Sequence, residues 1–230
     1  MSASPPHIGT LGEKPLHAAL KKWCSQEGDR FEASVDGYVI DVVRDDLLIE
    51  VQTRSFSKMK RKLIELLAAG HRIRVVYPIP VEKTIVRLDR DGSITGRRRS
   101  PRRGTTRDLF AELVSFPELI AHPGLEIQVV LTVEDEYRHH DPKKAWRRRG
   151  WVVTERRLVR VEGATTIHGP GDLVELLPDD LPDRFTTGDI AGAASCPLRV
   201  AQQMAYCLRH SGAVEAVGKR GRSIEYRLAG

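Results

Sequence analysis

Between residues 13 and 78 the apolar residues change from helical spacing to alternation and back again, and this succession restricts the fold more than any other feature of the chain. Leu16, Ala19, Leu20 and Trp23 recur at helical spacing over 13–24, with Pro15 in a first turn where a missing N–H is harmless. Three β-like runs follow, 30–35, 38–43 and 47–53, parted by Asp36-Gly37 and Asp45-Asp46, and a meander joins them most simply. Phe56, Met59, Leu63, Leu66 and Leu67 restore the helical period over 55–69, and Gly70 stops it. Residues 73–78 form a buried strand that Pro78 ends. Helix, three strands, helix and strand predict an α/β fold.

Beyond residue 80 the pattern predicts a hairpin over 81–95 turning at Asp91-Gly92, an arginine-rich loop, a helix from Thr106 to Ala121, and strands over 126–133 and 151–161. From Gly171 short helices take over, at 173–177, 187–194 and 197–210, the last with Leu198, Ala201, Met204, Ala205 and Leu208 on one face. Residues 213–217 and 223–228 alternate around Gly218-Lys219-Arg220-Gly221 as a hairpin. The expected units are residues 1–80, a β-rich extension over 81–168 packed on them, and 169–230. No run approaches the about 18 apolar residues that cross a bilayer, and the start lacks the basic flank and apolar stretch of a secretory signal. Three cysteines without Cys-x-x-Cys spacing fit reduced thiols, and a cytoplasmic protein without membrane contact is expected.

Chemistry enters with Asp41, in Tyr38-Val39-Ile40-Asp41-Val42, and Glu50, in Ile49-Glu50-Val51-Gln52. Glu50 and Gln52 share one face of their strand, and Asp41 reaches the same spot if the two strands are neighbours. Two carboxylates among Val, Ile and Leu are costly when uncompensated, and a hard cation such as Mg²⁺ compensates them. Acids at strand edges also serve to discourage edge-to-edge pairing, and Glu13, three residues after Thr10, is also placed as a capping acid. There is no Gly-x-x-x-x-Gly-Lys-Ser/Thr loop and no Gly-x-Ser-x-Gly elbow, so neither a nucleotide cofactor nor serine esterase chemistry has support.

Over residues 12–78 the chain resembles the PD-(D/E)xK nucleases, the superfamily of restriction endonucleases and Holliday-junction resolvases. The likeness rests on a helix bearing Glu13, then Asp41, then Glu50-Val51-Gln52, then a Lys/Arg-rich helix and a strand. It implies a restriction-endonuclease-like core, a mixed central sheet flanked by helices, in which Asp41, Glu50 and the Val51 carbonyl hold Mg²⁺ (or Mn²⁺) and Glu13 is a further acid nearby. Gln52 stands where most members carry lysine. Glutamine has no charge and cannot act as a general base, although it can orient a water; Lys58 or Lys60 on the next helix is a candidate for the missing cation.

The net charge of +6 is concentrated in two acid-free stretches, Arg97, Arg98, Arg99, Arg102 and Arg103, and Lys143, Lys144, Arg147, Arg148 and Arg149, which leave the rest of the chain at −4. Such clusters suit phosphate binding, as do Lys58, Lys60 and Arg61, while a solvated loop is the plainer reading. Three helices before a basic-tipped hairpin resemble a winged helix. That resemblance implies base or backbone contacts from Arg199, Gln202 and Gln203 on the third helix, and from Lys219, Arg220 and Arg222 on the wing. A metal-dependent endonuclease acting on duplex or branched DNA is therefore expected, with a homodimer serving to cut two strands; the rival is a DNA-binding or assembly protein that keeps the fold without turnover.

Overall fold

The computed structural model describes residues 14–144 and 150–229. Its centre is a seven-stranded mixed sheet. Strands β1 (Arg30–Val35), β2 (Tyr38–Arg44) and β3 (Leu47–Val51) form an antiparallel meander. β4 (Arg72–Leu88) lies parallel to β3, and β6 (Leu125–His140) parallel to β4. β7 (Trp151–Ile167) closes the far edge antiparallel to β6, while β5 (Ile94–Arg99) pairs with the second half of β4.

One face of the sheet is covered by helix α1 (Pro15–Cys24), whose Leu16 and Leu20 pack on Val42, Ile49, Val51, Val76 and Val130. The inward side of α1 also carries His17 and Lys21, whereas Trp23 turns outward at 39 % exposure, so the helix is rotated from the orientation its apolar spacing predicts. On the other face lie α2 (Lys60–Ala68), the short α3 (Phe110–Leu113), and the helices α4 (Pro170–Val174), α5 (Thr187–Ala193) and α6 (Leu198–His210). Phe56, Leu63, Phe110 and Phe116 merge there with Ala201, Met204 and Leu208 into one apolar cluster. The three C-terminal helices and the hairpin of β8 (Val214–Arg220) and β9 (Ser223–Leu228) thus share the core of the sheet. Leu198, the first residue of α6 and expected on its buried face, is 52 % exposed.

Three expectations are corrected. Pro78 does not end a strand: β4 continues through Pro78 and Pro80 to Leu88. Val76 gives its carbonyl to the Gln52 N–H, so Pro78 and Pro80 turn toward the same edge, where β3 has stopped and no donor is needed. The Pro80 carbonyl on that edge instead accepts from Gly104, where an added Cβ would lie 2.6 Å from Ile79 Cγ2, so only glycine fits. Because β4 runs through position 80, residues 1–80 and 81–168 share one continuous sheet. Arg97, Arg98 and Arg99 lie in strand β5, not in a loop. The helix expected over 106–121 is three short turns, 106–109, 110–113 and 117–121, interrupted before Pro117.

A polar knot holds the extension of the sheet to β3. Glu134 is fully buried and takes both Nε (2.6 Å) and Nη2 (2.8 Å) of Arg156, with the Thr132 hydroxyl at 2.7 Å. Arg156 Nη1 donates at 3.2 Å to the Thr53 carbonyl, just past the end of β3. Among the described residues no helix is long and apolar enough to cross a membrane.

Candidate functional site

The antiparallel ladder of β2 and β3 ends at Val42–Ile49, and Asp41 and Glu50 are the next residues beyond it, with the Asp41 side chain reaching the Val51 N–H. At this row β2 is irregular. Glu32 of β1 adopts φ 50°, and the β1–β2 register passes from Phe31–Val42 to Ala33–Ile40 without a Glu32–Asp41 pair. Ile40 and Val42, which strict alternation places on one face, are buried on opposite faces. Asp41 therefore sits at a twist in its strand, at the seam between the two helical layers.

From that seam Asp41 Oδ2 accepts the Val51 N–H at 2.8 Å and meets His17 Nε2 of α1 at 3.2 Å. Burial works to raise the Asp41 pKa, but the hydrogen bond and charge of His17, the Val51 N–H and Lys21 outweigh it and hold it below the usual aspartate value. Glu50 points to the α2 side, where Lys62 Nζ bridges Glu50 Oε1 and the Val39 carbonyl, each at 2.6 Å. Burial raises the Glu50 pKa; Lys62 opposes the rise, and the nearby charge of Asp41 adds to it. The two carboxyls thus draw their nearest cations from opposite layers yet feel one another, and their acidities are driven apart.

Asp41 has a depressed pKa, so its stabilising effect is complete above the ordinary aspartate value of about 3.9 and disappears as pH falls through the lower folded value. Glu50 has the opposite sign, its penalty growing as pH rises through its elevated value. Asp41→Asn is expected to be less stable than the parent protein at neutral pH, with the gap closing in acid; urea midpoints across that range measure it, and a gap independent of pH contradicts the assignment.

Gln52 shares the Glu50 face, as its spacing predicts, but is engaged locally: its Nε2 lies 3.9 Å from Met59 Sδ and its Oε1 accepts the Arg54 N–H at 3.2 Å. Lys58 and Lys60 are exposed and do not approach the carboxylates; the lysine at Glu50 is Lys62. Arg61 is also exposed and pairs with Glu65. Glu13, Arg147, Arg148 and Arg149 lie outside the described residues. Sequence reasoning missed His17 and Lys62. The signal for Lys62 was its place three residues after Met59 and four before Leu66, inside the apolar stripe of α2.

The first arginine cluster is less free than its sequence suggests. Arg97 meets Asp135, Arg99 meets Glu82 and Arg102 meets Asp108, so acids from adjoining elements answer three of its five charges. Arg98 and Arg103 have no ion pair among the described residues. In the C-terminal unit Arg199 and Gln202 are exposed on α6, but the Gln203 Oε1 is enclosed without a hydrogen-bond partner. On the hairpin Lys219 and Arg222 are exposed, while Arg220 is held by Asp189, Glu225 and the Arg184 carbonyl.

An oxygen-seeking cation fits the donor chemistry at the seam in part. Two carboxylates and the intervening backbone suit Mg²⁺ or Mn²⁺, which keep several waters and need few protein ligands. Among the described residues no group of three or more His, Cys, Asp or Glu side chains is gathered for a metal.

The family model described as "Domain of unknown function (DUF8091)" matches residues 14–168, from the start of α1 to the end of β7, and the chain belongs to this family. An "Uncharacterized protein" of Treponema pallidum (strain Nichols) is 31 % identical over 222 residues, covering 96 % of this chain and 87 % of that protein. No solved structure matches the chain.

Proposed function

We propose that this member of the DUF8091 family is a metal-dependent DNA endonuclease with a restriction-endonuclease-like PD-(D/E)xK core and a C-terminal winged helix. The observation that carries the reading is the placing of Asp41 and Glu50 just beyond the end of the β2–β3 ladder, where the charge of Asp41 bears on Glu50 although their nearest cations, His17 and Lys62, come from opposite layers. The element order, helix, three antiparallel strands, helix and a strand parallel to the third, supports it. So does the C-terminal order of three helices and a hairpin bearing Lys219 and Arg222.

In this reading Asp41, Glu50 and the Val51 carbonyl hold Mg²⁺ or Mn²⁺, which when bound supplies positive charge for the phosphoryl oxygens and acidifies water. Lys62 takes the part of the lysine that Gln52 replaces, as a fixed charge beside the scissile phosphate. His17 orients Asp41 and keeps it ionised, and Gln52 lies on the Glu50 face, able to position a water. The exposed cations Lys58, Lys60, Arg98 and Arg103, with those of the hairpin, draw duplex or branched DNA to the sheet edge. A homodimer would bring two such centres to the two strands.

The second reading, a DNA-binding or assembly protein without turnover, is favoured by the local engagement of Gln52 and by a protein donor set that stops at two carboxylates. Conversion of supercoiled plasmid to nicked circle in Mg²⁺ or Mn²⁺, abolished by chelation, separates the two. Salt-sensitive binding without cleavage of linear, nicked or branched substrates leaves only the second.

A further inference from the structure

The groove between α6 and β9 is not used by the carboxylate site. It encloses about 400 Å³ and is lined by Gln202, Tyr206 and Arg209 from the helix and by Arg222, Ile224 and Tyr226 from the hairpin. No Asp or Glu lines it, although Glu118 pairs with His210 at its side, and Arg209 and Arg222 are exposed. Tyr206 is 44 % exposed, with the His210 ring tilted against it at 4.3 Å between centroids, and Ile224 across the groove is 37 % exposed. The result is a recess with an apolar patch on each wall, a buried tyrosine at its floor and two exposed guanidinium groups at its rim.

We infer that this recess takes one unpaired nucleotide, its base between Tyr206 and Ile224 and its phosphate on Arg209 and Arg222, so that the chain selects DNA with a single-stranded tail or branch over blunt duplex. The shape argues for an unpaired base. Duplex presents base edges at the bottom of a groove, which a protruding helix reads, whereas a concave recess between helix and hairpin admits a flat ring that has left the stack. Stacking on an aromatic ring tolerates any base, and the arginines track the backbone charge. Gln202 at the rim is placed to bond a base edge. The inference rests on the nucleic-acid reading of the chain and is independent of the metal pair.

The test is fluorescence anisotropy of the full chain with three labelled duplexes: blunt, with a single-stranded tail, and with the same tail made abasic. The tailed duplex is expected to bind about tenfold more tightly than the other two. Tyr206→Ala should erase that preference and Tyr206→Phe keep it. Arg209→Gln with Arg222→Gln should weaken tail binding and reduce its salt dependence. Tyr206 lies at the surface, so an unchanged melting temperature excludes misfolding. Equal binding of the base-bearing and abasic tails, or a preference that survives Tyr206→Ala, overturns the inference while leaving the nuclease reading intact. Tail selection without metal-dependent cutting overturns the nuclease reading instead. An RNA tail that binds as tightly keeps the recess and widens the sugar it accepts.

Discussion

Asp41→Ala and Glu50→Ala are each expected to reduce metal-dependent nicking of plasmid by roughly 100-fold or more while DNA binding persists. The carboxylates lie just beyond the last pair of the β2–β3 ladder, and the reading gives each a share of one cation, so neither variant retains the site. Binding should persist, because it draws on lysines and arginines elsewhere, and removing acids lowers repulsion of phosphate. Asp41→Ala also deprives the Val51 N–H of its acceptor, so the near-isosteric Asp41→Asn and Glu50→Gln are compared with it, each with its urea midpoint measured beside its nicking rate to separate chemistry from folding. Lys62→Met is a weaker probe, because Lys62 also bonds the Val39 carbonyl. Nicking that continues at the parental rate in both Asp41→Asn and Glu50→Gln contradicts the assignment.

Arg156→Ala is expected to destabilise the protein by about 3–5 kcal/mol, since it leaves the fully buried Glu134 carboxylate without its guanidinium. The Thr132 hydroxyl remains, but one neutral donor does not offset a buried charge. Glu134→Leu combined with Arg156→Met should recover much of the loss, because removing both charges also removes their desolvation cost. Urea unfolding of the parent and the two variants gives the comparison; a loss below about 1 kcal/mol for Arg156→Ala would place the pair among exposed bridges of little worth. Arg156 also holds the Thr53 carbonyl, so the variant should loosen the chain beyond Gln52 and lower activity before it unfolds.

The elements around the site were the most readable part of the sequence, because each has one buried face and a period that reveals it. The meander over 30–51, the helix over 60–68 and the C-terminal hairpin follow directly from spacing and turn residues. What spacing did not reveal depended on partners distant in sequence. Pro78 and Pro80 fit inside β4 because β3 ends beside them, and no local pattern carries that information. The arginines of β5 read as a loop because their acid partners, Glu82 and Asp135, lie on other strands. Asp41 and Glu50 stood out as acids in apolar runs. Their immediate partners did not, since His17 and Lys62 are polar residues on helices whose apolar neighbours drew attention first. The rotation of α1 turns Lys21 inward and Trp23 outward and goes with the ion pair of Lys21 to Glu32, 11 residues away, which spacing within the helix does not reveal.

The proposed site has Asp41 and Glu50 share one divalent cation. Calorimetric titration of Mn²⁺ into the parent protein, Asp41→Asn, Glu50→Gln and the double variant addresses it without relying on any substrate. A single saturable site in the parent that is lost in all three variants is the predicted result. Identical Mn²⁺ uptake by all four proteins would contradict it.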